Sequence, residues 1–156
     1  MRLRLALLGF ILVMTITACD VVGLFPAEEA TMSAGNGDAD VIFVRAVEQT
    51  ENMWTFHVTV EHPDTGWDDY ADGWDVILPD GAVIRPDENS DFTRLLLHPH
   101  ENEQPFTRSQ SGIGIPADIT QVRVRAHDIV DGFGGKEVIV DLTQASGPDY
   151  EVVRLR

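Results

Sequence analysis

Between Trp54 and Glu61 apolar and polar residues alternate without a break: Trp54, Phe56, Val58 and Val60 against Thr55, His57, Thr59 and Glu61. An extended chain turns successive side chains to opposite faces, so a period of two buries one face and wets the other. Val122, Val124 and Ala126 alternate with Arg123, Arg125 and His127 in the same way, and Val138, Val140 and Leu142 repeat it. Further strands are expected over 41–48, 74–78, 82–85, 92–97 and 106–113, with one more over 150–155. Turn chemistry separates them. Pro79-Asp80-Gly81 between two apolar runs predicts a tight hairpin, and the loop from Asp131 to Gly135 closes another. No window carries the 3.6-residue period of an amphipathic helix. Seven to nine short strands with regular breaks predict an all-β fold, a Greek-key β-sandwich.

The first eighteen residues differ from the rest. Arg2 and Arg4 precede an apolar run from Leu5 to about Ile16, which ends in Thr17 and Ala18. A positive start, an apolar core and a small-residue boundary are the parts of a secretory signal peptide. The run falls short of the ~20 residues of a spanning helix. The boundary Ile16-Thr17-Ala18-Cys19 resembles the lipobox of bacterial lipoproteins. The resemblance implies cleavage before Cys19, acylation of its thiol and a domain held outside the cytoplasm on a lipid anchor. Cys19 is the one cysteine in the sequence, so no intrachain disulfide can form. Asp20 resembles an inner-membrane retention signal, a rule that differs between bacterial groups, and the choice of membrane stays open. The division expected is a signal peptide over 1–18, a lipidated N-terminus and tether over 19–39, and one β domain over 40–156 in the periplasm or at the cell surface. The tether reading rests on Ala, Gly, Glu and Ser without a period.

Charge narrows the partners. The whole chain carries a formal −15, and loss of the two leader arginines takes the mature part to about −17. Such a surface excludes nucleic acid and anionic lipid as charge-driven partners. It suits solubility in salt, cationic partners or metal ions.

The order of strands resembles an immunoglobulin-like or fibronectin type III-like domain over residues 40–143, with strand B at 54–61, strand C at 74–78 and an F–G hairpin over 119–142. The antibody inter-sheet disulfide and the tyrosine corner are absent. Segments 97–100 and 103–109 also resemble stretches of small exported proteins, a likeness that brings no function with it. The immunoglobulin resemblance implies that the B–C, D–E and F–G loops, near 62–73, 98–104 and 127–135, emerge at one end. Four of the five histidines fall in or beside these loops, with Asp64, Asp68, Asp69, Glu101, Glu103, Asp128 and Asp131.

Three classes of function follow. Neutral imidazoles and carboxylates together suit zinc or copper. His98-Pro99-His100 offers two imidazoles on one side of an extended segment, and His127 a third from another loop; solvated loop histidines are the plainer reading. The aspartates over 64–75 lack EF-hand spacing. His62, Trp67, Tyr70 and Asp128 offer instead a surface for a sugar or a protein, with Trp74 expected in the core. Catalysis is the least supported: Cys19 is committed to lipid, Ser109 and Ser111 lie in no nucleophile elbow, and Gly132-Phe133-Gly134-Gly135 is turn glycine rather than a phosphate loop. The expectation is a membrane-anchored, non-catalytic binding module that requires no cofactor. The alternatives are a periplasmic copper or zinc protein, or a carbohydrate-binding module.

Overall fold

In a computed structural model, which describes residues 37–154, the alternating segments become strands and no helix occurs among the described residues. The strands are β1 (Asp40–Thr50), β2 (Met53–Glu61), β3 (Ala71–Ile77), β4 (Arg94–Leu95), β5 (Phe106–Gly114), β6 (Gln121–Asp128), β7 (Val138–Asp141), β8 (Ser146–Gly147) and β9 (Tyr150–Val153). They form a five-stranded sheet in the order β5-β2-β1-β9-β8 and a four-stranded sheet in the order β4-β3-β6-β7. All pairings are antiparallel except β1 with β9. Cys19 and the leader lie outside the described residues.

Parity decides what is buried. On β2 the even row Trp54, Phe56, Val58 and Val60 is buried, and on β6 the even row Val122, Val124 and Ala126. The two rows belong to different sheets and meet in one hydrophobic cluster, with Val41, Val44 and Ala46 of β1, Trp74 and Val76 of β3, and Val138 and Val140 of β7. Each such side chain contributes about 1.5–3 kcal/mol on leaving water. Trp74 is fully buried, as expected of a residue on the inward face of a strand. Ala39, which the sequence places at the end of the tether, is buried in the same cluster.

Several elements differ from the sequence reading. The 82–85 strand is reduced to a single bridge, Ile77 with Val83: only four residues separate the turn at Pro79-Asp80-Gly81 from Pro86, which has no N–H to extend a ladder. Gly81 takes φ 88° there, and Leu78 N–H donates to Ala82 O at 2.8 Å. The 92–97 strand shrinks to the two residues of β4. Its neighbour Thr93 is tied by side-chain bonds rather than a ladder: Thr93 N–H donates to Asp75 Oδ1 at 3.1 Å and Val76 N–H to Thr93 Oγ1 at 2.8 Å. The two-residue β8 has no period to read.

This order fixes where the loops fall. β2 and β3 lie in different sheets, as do β4 and β5, so the β2–β3 and β4–β5 connections cross between them. The β6–β7 loop closes a hairpin within the second sheet. All three connections gather at one end of the shared core.

Candidate metal centre at the loop end of the core

The inward rows do not stop where the strands do. His62 and Asp64 continue the buried even row of β2, and Asp128 is the last residue of the buried row of β6. Strand parity carries the His62 imidazole and the Asp128 carboxylate into the gap between the sheets, and a tight turn, closed by Asp64 N–H donating to His62 O at 2.8 Å, brings in the Asp64 carboxylate.

Asp64 organises this end. Its Oδ1 lies 2.6 Å from His62 Nδ1 and accepts Ala71 N–H at 3.1 Å. Its Oδ2 accepts His100 N–H at 2.6 Å. One carboxylate thus joins the end of β2, the start of β3 and the β4–β5 loop. The loop is held again where His62 N–H donates to Gln104 Oε1 at 3.0 Å, just before the cis Gln104-Pro105 peptide. Asp128 is anchored too: its Oδ1 accepts Val130 N–H at 2.9 Å and Asp131 N–H at 2.6 Å, while its backbone pairs with Gly132.

Two atoms remain. His62 Nε2 and Asp128 Oδ2 are buried and have no hydrogen-bond partner among the described residues. His62, Asp69 and Asp128 each offer a ligand atom within 4.8 Å of the other two, and they are the one such group of three among the described residues. His62 Nε2 stands 3.6 Å from Asp69 Oδ1. Asp69 is partly exposed and sits on a tight turn in which Thr65 N–H donates to Asp69 O at 2.9 Å and Gly66 takes φ 132°.

His98, His100 and His127 do not form the ligand set that their types suggest. His98 and His100 lie together, ring centroids 4.5 Å apart. His100 is buried rather than solvated, and stacks on Phe106 at 3.8 Å with planes 12° apart. Burial is the main cause that holds its pKa below 6.5, helped by Arg108 and His98. Across the end, Arg108 bonds Glu103 at 3.0 Å and holds that carboxyl below 4.5. His127 is turned away by parity: it is the neighbour of Asp128 and so faces the other side of β6. There its Nδ1 lies 2.6 Å from Asp72 Oδ1, and its ring packs on Phe92 and Phe133.

Of the aromatic candidates, Trp67 tops the 65–69 turn and is 68 % exposed, with Tyr70 edge-on at 5.9 Å. Leu97 on the β4–β5 loop and Ile129, Val130 and Phe133 on the β6–β7 loop are exposed as well. Sequence reasoning placed Asp69 and Phe133 among the loop residues but did not set Asp69 beside His62, nor single out Leu97, Ile129 and Val130 as a surface. The even spacing of 54, 56, 58, 60, 62 and 64 was the available signal for His62 and Asp64.

Comparison with known proteins adds one likeness. Over 104 residues, 67% of this chain, the sequence is 38% identical to a protein of Halomicrobium mukohataei described as a "Putative lipoprotein". The chain spans 47% of the length of that relative. No family model matches, and no solved structure matches.

Proposed function

We propose that the chain is a lipoprotein of the cell envelope, anchored through Cys19, whose domain is a non-catalytic binding module that works through its loop end. The likeness to a protein named as a lipoprotein supports the anchor. The reading of the domain as an immunoglobulin-like sandwich is supported by strand order: with β1, β2 and β5 as A, B and E, and β4, β3, β6 and β7 as C′, C, F and G, the sheets read E-B-A and C′-C-F-G. The additional β9 lies parallel to β1.

One observation carries the binding role. Three loops from separate parts of the chain, all at one end of the core, carry Trp67, Leu97, Ile129 and Val130 as exposed apolar side chains, while Phe133 folds back over Arg125 and His127. Exposed apolar groups gathered on an otherwise acidic surface mark contact sites, and a rigid aromatic at a turn tip is a good anchor. A protein surface or a sugar ring fits this chemistry.

Two measurements test the reading. A photo-crosslinking residue at position 67 or 97 of the membrane-borne protein should capture a discrete partner, whereas positions 43 and 139, exposed on strands, should not. Equal capture at all four positions overturns it. A glycan array with Trp67→Ala as control separates a sugar from a protein partner. Labelling with a palmitate analogue, abolished by Cys19→Ser, tests the anchor.

A further inference from the structure

We propose that His62, Asp69 and Asp128 bind one divalent transition-metal ion, with Asp64 as the group that orients His62. The proposal goes beyond the partner-binding role and stands without it, because the ion would be held by this chain alone.

The argument begins with two buried polar atoms. A buried polar group without a partner is costly, so a native fold that keeps two of them side by side calls for an occupant. His62 Nε2 and Asp128 Oδ2 are both unpartnered and their residues are almost fully buried, at 1% and 0% exposure. Their neighbour is a third donor, Asp69, not a hydrogen-bond donor that could satisfy them. An imidazole nitrogen facing two carboxylates is satisfied by a cation.

The surrounding bonds pre-form the site. Metal-bound histidine usually turns its other ring nitrogen to a carboxylate, which fixes the ring and raises its basicity. Asp64 stands in that relation to His62 at 2.6 Å, and is itself held by two backbone N–H groups. Asp128 is fixed in the same way, through Oδ1, which leaves Oδ2 for a ligand. Donor atoms around a tetrahedral zinc ion, bonded at about 2.0–2.1 Å, lie about 3.4 Å apart. The 3.6 Å between His62 Nε2 and Asp69 Oδ1 is already near this, and all three ligand atoms lie within 4.8 Å of one another.

The donor set also selects the ion. One imidazole and two carboxylates suit zinc and similar transition ions, whereas calcium prefers six to eight oxygens. Asp69 supplies the route in from solvent. Since Asp69 ends the turn that carries Trp67, a bound ion would fix that turn and move the environment of the exposed indole.

The experiment uses the full chain purified in detergent and stripped with chelator. Zinc is added in excess, and calcium in parallel. Calorimetry should give one zinc per chain, thermal unfolding should rise by several degrees, and Trp67 emission should shift, a signal absent in Trp67→Phe. Asp69→Asn, at a partly exposed position that leaves folding intact, should weaken zinc by tenfold or more. Asp64→Asn should weaken it by about 10–100-fold. Asp128→Asn should abolish binding. The proposal is overturned if zinc does not bind, if calcium binds as well as zinc, or if zinc binding survives Asp69→Asn and Asp128→Asn and is lost instead in His98→Ala/His100→Ala. Crosslinking at position 67 reads the partner role separately, so either can fail alone.

Discussion

His62 Nδ1 lies 2.6 Å from Asp64 Oδ1, two residues on, across a tight turn in which Asp64 N–H donates to His62 O at 2.8 Å, with both side chains buried. The contact is local in sequence but not in effect, since the same carboxylate holds Ala71 N–H and His100 N–H. Asp64→Ala strands two backbone donors and an imidazole at once. A buried donor left unmade costs about 1–3 kcal/mol. The expected loss is about 3 kcal/mol or more, read by urea unfolding through the buried Trp54 and Trp74. A loss under about 1 kcal/mol would mean that water replaces the carboxylate and that Asp64 does not organise the loops.

Thr93 does for the opposite flank what Asp64 does for the loop end. It is fully buried, accepts from Val76 N–H, and donates its hydroxyl to Ile84 O. Thr93→Val keeps the shape and removes the hydroxyl, leaving both backbone groups without it. The expected cost is about 1–3 kcal/mol. Thr93→Ser keeps the bonds and loses a methyl, a cost of about 1 kcal/mol. The ordering is the test: Val must be the more damaging in denaturant titrations, and the reverse ordering would show that packing, not bonding, holds the 78–93 segment.

Parity explains how much of this could be read in advance. The alternation of β2 and β6 was legible because each strand has one buried and one solvated face. Extending the same rows by one step puts His62 and Asp128 inside and turns His127 out, away from His98 and His100; Asp64 follows one step further, through a turn. The approach of Asp69 to His62 was not legible. Asp69 reaches His62 through a turn set by Gly66, and nothing periodic marks it. β4 was overestimated for a related reason: its pairing is cut short by side-chain bonds from Asp75 and Thr93, which no hydropathy pattern records.

His100 makes the fold sensitive to acid. Its pKa is lowered from 6.5 chiefly by burial, against the raising effect of Asp64 Oδ2 at 3.9 Å from Nδ1, and neither ring nitrogen has a hydrogen-bond partner among the described residues. The unfolded chain therefore binds a proton more readily than the native one. The stability present above about pH 6.5 falls as pH drops from there toward the native pKa, and levels off below it, with a slope of at most about 1.4 kcal/mol per pH unit for one proton. His100→Phe keeps the stack on Phe106 and removes the titration. Its stability should match or exceed that of the parent at neutral pH and fall less between pH 6.5 and 5. Parallel pH curves for the two proteins would exclude this residue as the source.

Gly73 lies at a close approach between β3 and the ring of Phe92. A Cβ there would stand 2.3 Å from Phe92 Cδ2 and 2.4 Å from Cγ, so Gly73→Ala must displace the ring. Phe92 in turn packs against His127 at 5.1 Å and Phe133 at 6.2 Å between ring centroids, so the displacement reaches the β6–β7 loop. Overpacking of this kind costs about 1–3 kcal/mol. Phe92→Ala removes the obstacle, so adding Gly73→Ala to it should cost far less than Gly73→Ala alone. Contacting residues show such coupling of about 0.5–3 kcal/mol in a double-mutant cycle. Nuclear magnetic resonance should report the cause directly: the His127 ring protons, shifted by the Phe92 ring in the parent, should move toward their solvent positions in Gly73→Ala. Additive costs with unmoved His127 signals would mean that β3 yields rather than Phe92.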